Sequence, residues 1–502
     1  MNKSDRLALL LSILSVFLSY LVTVLVFEGI PHLEDEITYV WQARLINYGH
    51  IKIDSPICPK CFLQPFVIDF QGSRFGKYPL GWPAMLSIAI KLGLRQFINP
   101  LLAGFSTWLT YLLGKRLFDV KTAFLAVFLQ VFSPFFLILS GSLLSHTWSL
   151  FLVLSFILGW LDITGKQSKT PSWLPLLVSS ISLGLLVLTR PLTAIGISLP
   201  FILHGVIKFF KGSRETRIRL LIFILICLSI TALHLLWQQY LTGDFLLNPY
   251  ILYWEYDKIG FGPSVGLQQG GFSPYYAYWN TWNNLRVGIS ELFGWPYLSW
   301  LFLPFGLIAI RKNRKAILVC SAFMTLLIAY GFYWIGAWVL GPRYYFEAIF
   351  SLVFLSASGI NWLSGTFKDT LKLDKRNPWK KIRYILVNSI WIILLIGNLL
   401  FYLPNRLKSL QGLYGINKTQ LSPFLTQEAL DLTPALIIVH PQYKWLEYGA
   451  LLDLSSPMLD SPYVFVYHRG EILNQQVIEQ FPDRSIWHYY TGDPYQFYTD
   501  GK

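Results

Sequence analysis

The sequence predicts an α-helical polytopic membrane protein with about eleven transmembrane helices and a small outer α/β domain at its C-terminal end. Of its 502 residues, 54% are hydrophobic and 17% aromatic, whereas only 14% are charged, which departs strongly from soluble globular proteins. Apolar runs that could cross a hydrocarbon core of roughly 30 Å recur along the chain. Clusters of basic residues separate these runs. Together these observations indicate a chain that crosses the membrane many times.

The net charge of +14 indicates topology rather than nucleic-acid binding. The basic residues form six clusters between apolar runs, and the positive-inside rule places such clusters in the cytoplasm. We therefore expect a plasma (inner) membrane protein with a cytoplasmic N-terminus, an extracytoplasmic C-terminus and no nucleic-acid partner. The clusters are Lys3 and Arg6; Lys115, Arg116 and Lys121; Lys166 and Lys169; 208–219; 311–315; and 368–383.

Two segments follow from this topology: a transmembrane part at 1–403 and a small extracytoplasmic α/β domain at 404–502. The transmembrane part has long outer loops at 28–96 and 241–294, and the first of them contains short interfacial helices. In the C-terminal part, 435–439 and 463–467 read as buried strands and 471–480 as a helix. The predicted spans are 7–27, 97–117, 122–139, 144–161, 173–188, 192–210, 220–240, 295–310, 316–335, 344–363 and 385–403.

Three adjacent carboxylates, Glu34, Asp35 and Glu36, directly follow the first span. They occupy the first turn of a predicted amphipathic helix that could lie along the membrane surface. Acidic residues at this position stabilise a helix N-terminus, which is the alternative to a functional role. Three neighbouring carboxylates repel one another, so at least one of them needs a cation or a proton as its partner.

A second motif, Lys77-Tyr78-Pro79, lies where the first outer loop leads into a predicted interfacial helix. A cation at this depth could hold a phosphate group. Simple snorkelling of the lysine side chain to the membrane surface is the alternative.

The acidic pair and the Lys-Tyr-Pro motif together resemble the GT-C superfamily of membrane glycosyltransferases, which includes protein O-mannosyltransferases and bacterial aminoarabinose transferases. The resemblance extends over most of the membrane part. It includes Thr189-Arg190-Pro191 and the Gly-Pro-Arg-Tyr-Tyr stretch at 341–345, all at predicted outer boundaries.

The resemblance implies transfer of a sugar from a polyprenyl-phosphate donor to a glycan, lipid or protein acceptor on the extracytoplasmic face, with inversion. Asp35 would be the base and Glu36 its support, leaving Glu34 as a solvent-facing cap. A positioned carboxylate can take the proton of an acceptor hydroxyl, while cations hold the departing phosphate. The donor-phosphate candidates are Lys77, Arg190, Arg343 and Tyr344.

An alternative function is a transporter or flippase for a lipid-linked or small polar solute. Such proteins commonly show internal repeats and ionisable residues at mid-span. The predicted spans are almost free of charge at their centres, which favours the enzyme.

His146 stands where many members of the superfamily have a second acidic residue. It could be a metal ligand beside Asp35, holding Mg²⁺ or Mn²⁺, or a hydrogen-bonding partner, or a buried histidine of the core. Cys58 and Cys61 lie in the first outer loop without further zinc ligands nearby, so a local disulfide is the expected pairing on an oxidising face.

Overall fold

The computed structural model describes residues 3–165, 173–336, 339–367, 378–443 and 445–501. The basic cluster of Lys166 and Lys169, and the 368–377 part of the last cluster, lie outside the described residues. The chain is mainly helical, with two small sheets on segments that connect or follow the membrane helices.

Among the described residues, ten α-helices precede the second long loop, and they include most of the deeply buried core. They are α1 (Lys3–Leu25), α2 (Glu34–Asn47), α3 (Gly81–Lys91), α4 (Ile98–Leu117), α5 (Val120–Val131), α6 (Pro134–Gly141), α7 (His146–Ile163), α8 (Leu174–Val187), α9 (Pro191–Lys211) and α10 (Arg214–Thr242).

Eleven further α-helices follow, and a 3₁₀ turn, Arg343–Ala348, leads directly into one of them. They are α11 (Pro249–Tyr253), α12 (Pro274–Glu291), α13 (Leu303–Ile310), α14 (Arg314–Cys320), α15 (Ala322–Gly331), α16 (Ile349–Ser364), α17 (Pro378–Gly397), α18 (Leu403–Lys408), α19 (Gln427–Leu430), α20 (Leu446–Leu451) and α21 (Glu471–Ile478).

Seven helices among the described residues are long and apolar enough to cross a membrane, or eight if the bent pair α5–α6 is one span. This confirms a chain with many spans, but it does not confirm the count of eleven. The seven are Lys3–Leu25, His146–Ile163, Pro191–Lys211, Arg214–Thr242, Arg314–Gly331, Arg343–Ser364 and Pro378–Gly415.

The structure departs from the predicted spans where the chain breaks a helix. The predicted span 122–139 bends by 59° between α5 and α6, because Pro134 cannot donate a backbone hydrogen bond and Ser133 caps a new helix there. The predicted span 295–310 contains only the eight-residue α13. The predicted span 173–188 yields the short helix α8 of 14 residues.

The first outer loop folds into α2, α3 and a three-stranded antiparallel sheet of β1 (Ile53–Asp54), β2 (Val67–Phe70) and β3 (Ser73–Gly76). The central strand is β3. Cys58 and Cys61 form the expected local disulfide between β1 and β2. The loop is therefore a folded unit that can fix the side chains of α2.

Helix α2 is present as predicted, but its apolar side is covered by protein rather than by lipid. Ile37 packs with residues of the C-terminal segment, whereas Trp41 and Leu45 pack with Val67 of β2. All four of Ile37, Val40, Trp41 and Leu45 are buried. Tertiary packing therefore holds this helix and its acidic first turn, and its location along the membrane surface stays a prediction.

The C-terminal segment contains a parallel sheet in the order β5–β4–β6, formed by β4 (Ala435–His440), β5 (Tyr463–Tyr467) and β6 (Ser485–Tyr490). Strands β4 and β5 and helix α21 confirm the sequence-based elements. The third strand, β6, was not predicted. The hydrophobic core of the C-terminal segment includes Ile30 and Ile37 of the first outer loop. The segment therefore packs directly on the residues that flank Glu34, Asp35 and Glu36.

Candidate active site

A cavity of about 790 Å³ opens between the first outer loop, the starts of several membrane helices and the C-terminal segment. This volume suits a sizeable ligand. Its lining includes every cation that the sequence proposed for phosphate binding. The principal polar and aromatic lining residues are Glu34, Asp35, Tyr39, Lys77, Tyr78, Arg190, Tyr250, Trp254, Asp257, Tyr330, Tyr333, Arg343, Tyr344, Tyr414 and Trp445.

Asp35 presents its carboxylate to this cavity from the first turn of α2. The Tyr78 hydroxyl donates a hydrogen bond to Oδ1 at 2.5 Å, and Nη1 of Arg343 lies 3.5 Å from Oδ2. Burial alone would raise the pKa of Asp35. The Arg343 charge, the Tyr78 hydrogen bond and the Lys77 charge more than offset this effect, so its pKa lies below the ordinary value. Asp35 is therefore an ionised carboxylate at neutral pH.

Glu36 is only 1% exposed and is not among the residues that line the cavity. Its Oε2 accepts hydrogen bonds from the backbone N–H groups of His32 and Leu33, at 2.8 and 3.1 Å, and its Oε1 accepts from Leu143 at 2.7 Å. This carboxylate thus caps α2 and ties it to the segment before α7. The expectation of a catalytic Glu36 is corrected to a structural role, since the carboxylate is fully engaged by backbone donors.

Glu34, expected to face solvent as a cap, instead lines the cavity. Burial raises its pKa, and the negative charge of Asp35 raises it further, while Lys77 opposes both effects. The cavity therefore holds three acidic side chains, Glu34, Asp35 and Asp257, of which Asp35 and Asp257 each have a cation near an oxygen.

Lys77 is 3% exposed and its ammonium is surrounded by aromatic rings. The centroid of Phe66 is 3.8 Å from Nζ, and four more rings lie within 5.5 Å, those of Tyr78, Tyr250, Tyr253 and Trp254. Burial lowers the pKa of Lys77, and the negative charge of Asp257 opposes this effect. Cation–π contacts of this kind stabilise a charge that has lost its water.

Asp257 is the carboxylate partner of Lys77, with Oδ2 3.6 Å from Nζ. Its other oxygen, Oδ1, accepts hydrogen bonds from the Tyr333 hydroxyl at 3.0 Å and from Nε1 of Trp334 at 3.1 Å. This residue comes from the second outer loop. The ion pair thus joins the two long outer loops at the cavity.

Arg190 is placed at the start of α9 by a buried polar network. Its Nε lies 3.2 Å from Oε1 of Glu347, and its Nη2 donates to the Tyr330 hydroxyl at 3.0 Å. The guanidinium groups of Arg190 and Arg343 each lie 5.6 Å from the centre of the Tyr344 ring. Three distant parts of the sequence therefore bring Lys77, Arg190 and the adjacent pair Arg343 and Tyr344 to one cavity.

His146 is 1% exposed and its Nδ1 lies 2.9 Å from Oε1 of Glu347. It therefore has the hydrogen-bonding partner that the sequence left open, and it is not among the cavity-lining residues. The described residues contain no group of three or more His, Cys, Asp or Glu side chains that could hold a metal ion. Because Asp35 already faces Arg343 and four cationic side chains line the cavity, namely Lys77, Arg190, Lys258 and Arg343, these residues do not fit a resident Mg²⁺ or Mn²⁺.

Sequence reasoning missed Asp257 and Glu347, the carboxylates that pair with Lys77 and Arg190. Glu347 follows Arg343 by four residues, and this spacing could have marked it as part of the same helical turn. Asp257 is one of two acidic residues among the aromatic residues at 250–261, which is a weak signal. Its pairing with Lys77 depends on tertiary packing.

No protein-family model matches the sequence, and no curated protein sequence matches it. Solved structures do match. ArnT from Cupriavidus metallidurans bound to undecaprenyl phosphate aligns with a TM-score of 0.56 at 13% identity, covering 95% of this chain and 89% of ArnT. The apo state of ArnT gives a TM-score of 0.52 at 13% identity, with coverages of 90% and 84%. The chain has the fold of the GT-C glycosyltransferases.

A second kind of GT-C protein, the archaeal oligosaccharyltransferase AglB from Archaeoglobus fulgidus, also matches. Its complex with an inhibitory peptide and a dolichol-phosphate aligns with a TM-score of 0.50 at 15% identity, covering 91% of this chain and 64% of AglB. This chain thus spans less than two thirds of AglB. At these identities the likeness concerns the GT-C fold, so the activity depends on the residues of the site.

Proposed function

We propose that this protein is a glycosyltransferase that moves a sugar from a polyprenyl-phosphate donor to an acceptor hydroxyl. The observation that carries the proposal is the ionised carboxylate of Asp35 at a cavity lined by Lys77, Arg190 and Arg343. The GT-C neighbours support the donor class, because their structures contain undecaprenyl phosphate and a dolichol-phosphate.

The donor phosphate would lie among the three cations. A guanidinium can hold phosphate through two parallel hydrogen bonds, and both arginines face the same tyrosine ring, so their charges converge. Negative charge grows on this phosphate as the glycosidic bond breaks. Fixed cations in a partly dry cavity stabilise that charge without having to reorganise.

Asp35 would accept the proton of the acceptor hydroxyl as the oxygen attacks the anomeric carbon. Its lowered pKa keeps it ionised and ready. Tyr78 donates to Oδ1, so this hydrogen bond orients the carboxylate. Attack from the face opposite the phosphate would invert the anomeric centre, and Glu36 supports this step by fixing the first turn of α2.

The cavity would open on the extracytoplasmic side of a plasma (inner) membrane, with the N-terminus in the cytoplasm and the C-terminal segment outside. The distribution of basic clusters supports this orientation. The acceptor is a glycan, a lipid or a protein. No observation favours a transporter, since the buried network of Glu347, His146 and Arg190 lies at helix starts rather than at span centres.

The test is transfer from a synthetic polyprenyl-phosphate sugar by the purified protein, with membrane extract as the source of acceptors. Asp35→Asn keeps the shape of the side chain and an oxygen that can accept from Tyr78. We expect kcat to fall by at least about 100-fold with little change in donor KM, because the loss of a general base affects mainly the chemical step.

Tyr78→Phe is the matched control, since it removes the hydrogen bond but leaves the charge of Asp35. We expect a smaller loss of kcat than in Asp35→Asn. Full activity of a folded Asp35→Asn protein would exclude the proposed base. An inactive wild-type protein with every polyprenyl-phosphate sugar tested would exclude the donor class.

A further inference from the structure

A second cavity, of about 510 Å³, lies between the first outer loop and the C-terminal segment. Some of the same structural elements line this cavity and the catalytic cavity. Helix α2 contributes Asp35 to the catalytic cavity and Trp41 to the second one, and the C-terminal segment contributes Leu446 and Tyr448 in the same way. Asp35 and Trp41 are about 9 Å apart along the axis of α2, at 1.5 Å per residue. The two cavities are therefore neighbours on opposite sides of shared elements.

Arg74 is the polar side chain that distinguishes this second cavity. It stands on β3, the central strand of the first sheet, and its side chain is only 7% exposed. Among the described residues, its carboxylate partner is Asp69, the cross-strand neighbour on β2, at 3.9 Å from Nε. Its one hydrogen bond there runs from Nη2 to the Phe62 carbonyl.

A guanidinium has five N–H donors, so most of the donor capacity of Arg74 is unused within the described chain. Burial lowers the pKa of Arg74, and the negative charge of Asp69 offsets this only in part. A buried cation with so few partners is expensive unless a ligand completes its shell. The cavity beside Arg74 provides the space for that ligand.

The remaining walls indicate what kind of ligand this is. Lys52 adds a second positive side chain to a lining that also includes the carboxylate of Asp54, and its ammonium donates to the Tyr240 carbonyl at 2.7 Å. Trp41, Gln64 and Gln480 add an aromatic ring and two amides. Amides and aromatic rings beside an arginine suit a polyhydroxylated ligand with one negatively charged group.

We propose that the second cavity binds an acidic saccharide, with Arg74 holding its carboxylate or phosphate group. The role of this cavity as an acceptor subsite rests on the proposed glycosyltransferase function. The binding of an acidic saccharide there does not. An acidic sugar held there would anchor a glycan whose next unit reaches the neighbouring catalytic cavity.

The experiment measures binding to the purified full-length protein by ligand-observed NMR titration. The probes are glucuronic acid, glucose 1-phosphate, neutral glucose and inorganic phosphate. We expect at least one acidic sugar to bind about ten-fold more tightly than glucose and inorganic phosphate, because a charge-assisted hydrogen bond adds to the sugar contacts. The better acidic sugar identifies carboxylate or phosphate as the recognised group.

Arg74→Gln should abolish that preference. Because Arg74 is buried and this variant can destabilise the loop, a second pair of variants is placed at Gln480, a half-buried residue after α21. Gln480→Glu should weaken acidic-sugar binding by about three-fold and Gln480→Lys should strengthen it by about three-fold, as expected for one partly exposed charge.

Asp35→Asn separates this proposal from the proposed catalysis, since that variant should lose transfer and keep acidic-sugar binding. Equal binding of glucose and the acidic sugars would overturn the inference. Inorganic phosphate that binds as tightly as the acidic sugars would also overturn it, and so would Gln480 variants that leave binding unchanged.

Discussion

The Asp257 carboxylate neutralises part of the Lys77 charge that would otherwise attract a donor phosphate. The two groups lie 3.6 Å apart, and the Asp257 side chain is fully buried. A phosphate that approaches Nζ therefore competes with a carboxylate that is already in place. In the proposed function, Asp257 of the second outer loop would therefore lower the affinity for the donor.

Asp257→Asn tests that competition. The asparagine oxygen can still accept from Tyr333 and Trp334, so the change removes the charge and little else. We expect the donor KM to fall by about five-fold, equivalent to roughly 1 kcal/mol of competition removed. Steady-state kinetics with varied donor measure it.

Tyr333→Phe is the matched control for Asp257→Asn, because it removes one hydrogen bond and keeps the carboxylate. Its donor KM should stay near that of the wild type. An Asp257→Asn protein with a raised donor KM would show that Asp257 instead maintains the charge of Lys77.

At the scale of elements, the first turn of α2 is stabilised by the buried carboxylate of Glu36. Glu36→Gln replaces one acceptor oxygen with an amide N–H₂ group, which would face a backbone N–H donor. We expect a loss of about 1–3 kcal/mol in the free energy of unfolding, the cost of an unsatisfied buried group. Thermal or denaturant unfolding in detergent measures it.

Glu34→Gln is the comparison for Glu36→Gln, since it makes the same chemical change in the same turn at a cavity-facing position. We expect its unfolding free energy to remain within about 0.5 kcal/mol of the wild type. Equal destabilisation by both variants would contradict the structural role of Glu36.

Asp35 and the Lys77-Tyr78-Pro79 motif were predicted as candidates from their order in the first outer loop, and the structure joins them through the Tyr78 hydrogen bond to Asp35. Their partners Asp257 and Glu347 were not, because the pairing of distant segments depends on packing. Glu36 and Glu34 exchanged their expected positions, since three consecutive helical residues point about 100° apart and the sequence alone does not fix the helix rotation.

The elements were predicted with similar limits. Hydrophobic runs locate most of the membrane helices, because the bilayer demands length and apolarity. The bend at Pro134 and the short α13 were missed, since a hydropathy count treats a broken helix and a straight one alike. Four apolar residues of α2, Ile37, Val40, Trp41 and Leu45, have the expected helical spacing, but this spacing does not distinguish a lipid surface from the protein segments that cover them.

At the scale of the whole molecule, Asp453 joins the C-terminal segment to the first outer loop. Arg95 donates to both of its oxygens, at 2.5 and 3.0 Å, and Nη2 of Arg44 donates to Oδ1 at 3.2 Å. Burial alone would raise the pKa of Asp453, but Arg95 and then Arg44 lower it below its ordinary value. The contact is therefore an ionised carboxylate between two arginines.

Asp453→Asn should loosen the C-terminal segment, because two arginines then face each other without a counter-charge. We expect faster backbone hydrogen exchange in β4, β5 and β6, equivalent to a loss of about 1–3 kcal/mol of local stability. Asp460→Asn, which affects one exposed hydrogen bond from Tyr48, is the control and should leave exchange in these strands unchanged.

The same contact has a defined pH dependence. The pKa of Asp453 in the folded protein lies below its unfolded value near 3.9. Its contribution to stability is therefore complete above about pH 3.9 and is lost as the pH falls through the folded pKa. Burial also lowers the pKa of His440 in β4 and of His488 in β6, so these strands lose stability as the pH falls below about 6.5 whatever the state of Asp453. The contribution of Asp453 is therefore the difference in exchange between the wild type and Asp453→Asn, which should stay constant between pH 8 and about pH 5. A difference that changes near pH 6 would point to another group.

The position of Tyr414 and Trp445 in the cavity wall also has a consequence for biosynthesis. These residues are made after all the cations and carboxylates of the site, because the chain is synthesised from its N-terminus. A nascent chain that has already inserted Lys77, Arg190 and Arg343 still lacks one wall. The cavity wall is therefore completed only when the segment that includes Tyr414, Trp445 and Leu446 has been translated and packed, so a chain interrupted before this segment does not form a finished cavity.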